Sequence, residues 1–257
     1  MLLTLTDRQV ECRAIIFDKD GTLVDLMGIQ LELGRSRFEA MAATLGPEAA
    51  QAWQQAVGAD LERGWVDPDG PLCTAPCHEE VLVAATVLYR LGHGWHKARA
   101  LAQAVYDRAD EMTRPPYGAR LFPGVAELLA DLQACGLKLA IATNDRRWRT
   151  EATLEALGIS RHFGACIGAE DVSRGKPAPD MVLAACERLG HRPAEAIVVG
   201  DSPADLQMGR AAGVAACIGV TTGLNGADRL TALADAVLPT VTALTRLLAG
   251  CRPSPAS

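Results

Sequence analysis

An apolar run, Ala14-Ile15-Ile16-Phe17, stops abruptly at two carboxylates one residue apart, Asp18 and Asp20, and Gly21 follows at once. Side chains two apart share a face of a strand, so Asp18 and Asp20 could point the same way if the strand continued. Gly21 indicates instead that the chain turns away just beyond the strand's carboxyl end. Open α/β sheets place their ligands at that end. Two like charges crowded there are costly unless a cation or a shared proton relieves them. Taken alone, the segment also suits a strand followed by a polar turn.

The same design recurs downstream. Leu137 to Ala142 leads to Thr143-Asn144-Asp145, Ala165 to Gly168 leads to Ala169-Glu170-Asp171, and Ala196 to Val199 leads to Gly200-Asp201-Ser202. A weaker run, Val214 to Val220, leads to Thr221-Thr222-Gly223. Helical patterns lie between them: Val125, Leu128, Leu129 and Leu132 after Pro123-Gly124, closed by Gly136, and Met181 to Leu189, closed by Gly190. Strand and helix in alternation predict an α/β fold with a doubly wound, Rossmann-like parallel sheet covered on both faces.

Residues 28–116 read differently. Helical stretches occur around Leu31 to Leu45, Ala49 to Val57, Glu79 to Leu91 and Lys97 to Met112, with no convincing strand. Gly46-Pro47 and Gly92-His93-Gly94 punctuate this region, and Pro115-Pro116 ends it. The Pro- and Gly-rich stretch Gly64 to Pro76 reads as irregular. The expectation is an all-helical domain, 28–116, inserted into an α/β core made of 1–27 and 117–257, with a short Pro/Ser tail at the end.

Composition narrows the function. The chain has 257 residues and a formal net charge of −6, from 25 basic and 31 acidic side chains, without a basic block of the kind that grips nucleic acid. An acidic protein acting on an anion must build local positive charge from a metal or a placed lysine. No apolar run is long enough to span a bilayer. Met1 to Arg13, with Asp7, Arg8, Glu11 and Arg13, lacks a signal-peptide core, so a cytoplasmic location is the default. The eight cysteines of a long chain of this kind read mostly as small buried hydrophobes. Cys73, Cys77 and His78 have metal-like spacing, but no fourth ligand is evident.

Four signals fall at or just after carboxyl ends of predicted strands: Asp18-x-Asp20-Gly21-Thr22, Thr143-Asn144, Lys176 in Gly175-Lys176-Pro177-Ala178-Pro179, and Gly200-Asp201-Ser202-Pro203-Ala204-Asp205. Taken in order, these strings resemble the haloacid dehalogenase-like superfamily, in the phosphoglycolate phosphatase-like branch with a helical cap after the first motif. The resemblance covers about Arg13 to Leu248, including Phe122-Pro123-Gly124-Val125-x-x-Leu128-Leu129, which looks like the return from cap to core. It is specific in the core motifs and weak in the cap.

The resemblance implies a phosphatase acting on a small phosphorylated metabolite, with phosphoglycolate or a sugar phosphate as the family-level expectation, in a monomer or homodimer. By resemblance Asp18 is the nucleophile, and Asp20 is the general acid and then the base. Asp18 and Asp201, with the backbone carbonyl of Asp20, hold Mg²⁺, and Asp205 completes the acidic shell. Lys176 gives a point charge to Asp18 and the phosphoryl oxygens. Thr143 and N–H groups near Lys19 and Asp20 bind those oxygens, and Asn144 stands behind them. The cap is implied to choose the leaving group, hinged near Val24 to Gly28 and Arg114 to Arg120. The loop Gly64 to Leu72 is the candidate specificity element; its Trp65 reads more readily as packed core, and His78 and His93 as structural or exposed.

Each residue alone has a plainer reading. Thr143 suits a strand end, Asp201 or Ser202 a helix cap, Asp205 a helix first turn, and Lys176 an exposed loop. Asp20 argues against a dehalogenase, which needs no acid for an alkoxide. A hexose-phosphate mutase, a phosphonate hydrolase using Lys97, the one lysine of the inserted region, and a non-catalytic binding protein on the same scaffold remain open.

Overall fold

In the computed structural model the described residues are 1–5, 8–112 and 118–249. Asp7, Pro115-Pro116, Cys251 and the Pro/Ser tail lie outside them, as does part of the expected hinge over 114–120. In chain order, β1 (Leu2–Thr4), β2 (Gln9–Glu11) and β3 (Ala14–Phe17) precede α1 (Leu26–Leu45), α2 (Pro47–Ala56), β4 (Ala59–Asp60), β5 (Trp65–Val66), α3 (Pro71–Thr74), α4 (Cys77–Arg90) and α5 (Trp95–Met112). There follow α6 (Val125–Ala134), β6 (Lys138–Ala142), α7 (Arg147–Ala156), β7 (Ala165–Ile167), α8 (Asp180–Leu189), β8 (Ala196–Gly200), α9 (Pro203–Ala212), β9 (Ala216–Val220), α10 (Ala227–Thr231), β10 (Ala236–Leu238) and β11 (Leu248–Ala249). The chain divides into one unit of Met1–Leu26 with Arg120–Ser257 and a second of Met27–Ala119. Among the described residues no helix is long and apolar enough to cross a membrane.

The first unit is built on a six-stranded parallel sheet in the order β10-β9-β8-β3-β6-β7. Every residue of β3, β8 and β9 is buried, as befits strands covered on both faces. From β3 the chain builds outward through β6 and β7, then returns to the other side of β3 to lay down β8, β9 and β10. The order therefore reverses at β3, the point where doubly wound sheets open a crevice beyond their carboxyl ends. Register keeps those ends level, with Phe17 opposite both Ile141 and Val199. A small antiparallel sheet, β11-β1-β2, was not legible in the sequence, because strands of two or three residues are too short to show a period.

The second unit departs from the helical expectation in the stretch read as irregular. β4 and β5 form a short antiparallel hairpin, with Ala59 opposite Val66 and Asp60 opposite Trp65. Pro71 then opens α3 at a first-turn position, where its missing N–H has no helical partner to lose. The hairpin's alternation turns Val66 inward and Trp65 outward, so Trp65 is 52% exposed and is not core. The tryptophan of the core is Trp53, fully buried, whose Nε1 donates to the Tyr106 hydroxyl at 3.1 Å. A buried Arg37–Glu80 ion pair of 2.6 Å lies in the same core, and Tyr106 donates to the same Glu80 oxygen at 3.4 Å.

This contrast sets a stability test. Trp53→Ala should cost about 3–5 kcal/mol, whereas Trp65→Ala should stay within about 0.5 kcal/mol, both read from urea unfolding followed by far-UV circular dichroism.

Candidate active site

The parallel sheet delivers the expected residues to one rim. Asp18 directly follows β3, and its N–H donates to Val199 O at 2.9 Å, which ties the start of the loop to β8. The chain then curls back: the N–H groups of Leu23 and Val24 donate to Lys19 O, and that of Gly21 to Val24 O. Thr143 directly follows β6 and is buried; its N–H donates to Ile167 O at 3.0 Å. Asp201 directly follows β8 and Asp205 lies in the first turn of α9, both buried.

Lys176 joins these elements. Its Nζ lies 2.5 Å from Asp18 Oδ1 and 2.5 Å from Asp205 Oδ1. Asn144 Oδ1 accepts the backbone N–H of Lys176 at 3.1 Å, so Asn144 holds the lysine's loop. Asp205 serves two functions at once. Its Oδ2 accepts from the Ser202 N–H and hydroxyl, forming the reciprocal cap of α9, while Oδ1 meets Lys176. Asp205 therefore lies in the first turn of α9, where the sequence reading put it, and closes the cap whose N-terminal member is Ser202.

Asp18, Asp201 and Asp205, all buried, offer carboxylate oxygens within 4.8 Å of one another. Among the described residues no other group of acidic, histidine or cysteine side chains is arranged to hold a metal, so Cys73, Cys77 and His78 are not brought together for that purpose. Burial pushes the Asp18 carboxyl up to about 7, with Asp205 and Asp20 adding and Lys176 opposing. Burial raises Asp201 well above the usual carboxylate range, reinforced by Asp18 and Asp205. Asp20 is raised as well, chiefly by burial, against the pull of Lys19. Burial works to lower the Lys176 ammonium, but Asp18 and Asp205 outweigh it and keep the group charged. Asp18, Asp20, Asp145, Asp201 and Asp205 thus face Lys19, Lys176 and Arg149, an excess of carboxylates that a hard, oxygen-seeking divalent cation would offset.

Two glycines leave room for this cluster. A Cβ on Gly21 would sit 2.6 Å from Asp201 Oδ2, and Gly21 also has φ +83°, a left-handed turn that other residues resist. A Cβ on Gly223, in the loop after β9, would collide with the same carboxylate. Thr22, fully buried, donates to Asp201 Oδ1 at 3.4 Å, and the Thr222 hydroxyl donates to Gly21 O at 2.7 Å. Thr22 stood in the first motif without a role, and the side chains of Lys19, Asp145 and Arg149 escaped the sequence reading. The lysine between the two motif aspartates was visible, but a lysine in a loop is ordinarily exposed, and its partner Asp145 is 126 residues away.

A parallel sheet with paired aspartates, a threonine, a lysine and a second acidic pair at one rim defines a hydrolase class, and the comparisons agree. The model of the haloacid dehalogenase-like hydrolases matches residues 12–213, and the chain belongs to that family. It is 34% identical over 224 residues, 87% of each chain, to the "Probable phosphatase IndB" of Dickeya dadantii (strain 3937). It is 33% identical over 235 residues, 84% of this chain and 83% of the relative, to the phosphoglycolate phosphatase of Shigella boydii serotype 4 (strain Sb227). The crystal structure of a predicted phosphoglycolate phosphatase from Haemophilus somnus 129pt shares the fold, with a TM-score of 0.67 at 22% identity over 91% of this chain and 97% of the other. Within the family the protein is a phosphatase of the phosphoglycolate phosphatase-like branch.

Gly223→Ala should displace the Asp201 carboxylate and lower phosphate release from p-nitrophenyl phosphate by about tenfold or more. The measurement pairs steady-state kinetics with a thermal melt, and an unchanged rate would mean that the carboxylate position is not tightly required.

Proposed function

We propose that the protein is a Mg²⁺-dependent phosphomonoesterase that hydrolyses a small phosphorylated metabolite, of the phosphoglycolate or sugar-phosphate kind, through a phosphoenzyme on Asp18. The observation that carries this reading is the buried set Asp18, Asp201 and Asp205 with Lys176 bridging two of its members, at the switch point of the sheet.

Phosphate monoesters are among the slowest-hydrolysing biological bonds, and a carboxylate nucleophile splits the reaction into two easier displacements. An Asp18 oxygen attacks phosphorus and the bond to the ester oxygen breaks, while Asp20 delivers a proton to the departing oxygen. Asp20 then takes a proton from the incoming water, whose oxygen attacks phosphorus as the bond to Asp18 breaks, releasing phosphate. Burial raises the Asp20 carboxyl from its ordinary value, in the direction its first duty needs. Thr143 Oγ1 accepts the Asp145 N–H at 3.1 Å, which leaves the hydroxyl hydrogen available to a phosphoryl oxygen. Lys176 supplies a fixed positive charge beside Asp18, and Asn144 holds Lys176 in place. Asp18 and Asp201, with the backbone carbonyl of Asp20 and Asp205 behind them, would hold Mg²⁺, which when bound neutralises charge between nucleophile and phosphate. We assign choice of the leaving group to the second unit, with the exposed Trp65 in its candidate specificity loop.

The test is phosphate release from a panel of phosphorylated metabolites, with Mg²⁺ and with EDTA, for the wild type, Asp18→Asn and Asp20→Asn. The expected result is reversible loss in EDTA, a loss of at least about 10³-fold in Asp18→Asn, and a loss of about 10²-fold or more in Asp20→Asn. Full activity in Asp18→Asn would overturn the nucleophile, and full activity in EDTA would overturn the metal. Conversion of a hexose phosphate to its isomer without phosphate release would establish a mutase instead.

A further inference from the structure

The acid–base carboxylate is held by a charge pair that the reaction scheme above does not use. Lys19 is 1% exposed, although lysine side chains are rarely buried to that degree. Its Nζ lies 2.8 Å from Asp20 Oδ2 and 3.3 Å from Asp145 Oδ2. Asp145 is anchored in turn: its Oδ1 accepts from Arg149 Nη1 at 3.1 Å and from the Arg146 N–H at 2.8 Å, and Arg149 is itself buried. The Asp145 N–H donates to Thr143 Oγ1. A chain of alternating charge, Asp20–Lys19–Asp145–Arg149, thus runs from the loop after β3 into the first turn of α7 and touches the phosphate-reading threonine on the way. The two oxygens of Asp20 are left unlike. Oδ2 accepts from an ammonium, whereas Oδ1 is buried and has no hydrogen-bond partner among the described residues.

We propose that Lys19 is a positioning residue for Asp20: its ammonium engages Oδ2 and fixes the orientation of the carboxyl that exchanges a proton with the leaving group and with water. The inference rests on Asp20 being the general acid. A buried ammonium between Asp20 and Asp145 fixes the Asp20 carboxyl plane by a charge-assisted contact that spans two elements. A buried ammonium with one partner would be costly, and Asp145, backed by Arg149, supplies the second. The arrangement gives the acid a defined orientation before substrate arrives, which is where proton transfer gains its efficiency.

The test compares kcat/KM for p-nitrophenyl phosphate, whose phenolate leaves with little help, and phenyl phosphate, whose phenolate needs a proton. The variants are Lys19→Met, Asp20→Asn and the charge-balanced Lys19→Met/Asp145→Asn, which keeps the test open if the single variant does not fold. We expect the ratio of phenyl to nitrophenyl kcat/KM to fall by about tenfold or more in all three, in line with loss of an oriented acid. Equal losses on both esters in the Lys19 variants, with the selective loss intact in Asp20→Asn, would make Lys19 merely structural and overturn its positioning role. An unchanged ratio in Asp20→Asn would overturn the acid assignment, and the role of Lys19 with it.

Discussion

The contact between the Lys176 ammonium and the carboxylates of Asp18 and Asp205 is what the rim of the sheet is organised around. Carboxylates removed from water are expensive, and several of them crowded together are more so. The chain tolerates them because a buried cation sits between two of them, supplied by a loop that Asn144 grips from the end of β6. The same contact explains the titration pattern. Burial drives Asp18 and Asp201 up, with Asp205 adding to both and Asp18 adding to Asp201, and Lys176 is kept charged by the carboxylates it touches. The rim holds more carboxylates than cationic side chains, an excess that a divalent cation would offset.

The backbone prepares this concentration of charge. β3 stands at the centre of the reversal in strand order, with β6 and β8 as its neighbours, so the residues directly following these three strands lie at one rim. Glycine at positions 21 and 223 allows the Asp201 carboxylate to lie against the turn after β3 and the loop after β9. Asp205 shows how economically the fold works: one carboxylate closes the N-terminus of α9 and meets Lys176. The second unit has a core of its own around Trp53 and Tyr106, with the Arg37–Glu80 pair buried inside it. Its integrity as a separate compact body follows from that core rather than from the sheet.

The central strands were legible because parallel strands buried on both faces are written as unbroken apolar runs, as in Ala14–Phe17 and Ala196–Gly200. Helices α6 and α8 announced themselves by period and by a closing glycine. The hairpin of β4 and β5 did not, because two residues per strand carry no period and the surrounding prolines and glycines mimic an irregular loop. Trp65 illustrates the consequence: composition suggested core, and a single step of strand alternation put it outside, beside the inward Val66.

By itself the sequence determined the α/β class and the order of the motifs at Asp18, Thr143, Lys176 and Asp201, since each is a local pattern of apolar run, turn and polar residue. Tertiary structure alone decided which of those residues touch. It paired Lys176 with Asp18 across 158 positions and Lys19 with Asp145 across 126, and it chose which oxygen of Asp20 is held. The physical reason is that hydrophobic periodicity is a nearest-neighbour property of the chain, whereas a buried charge finds its partner through the packing of strands that the chain visits at widely separated times.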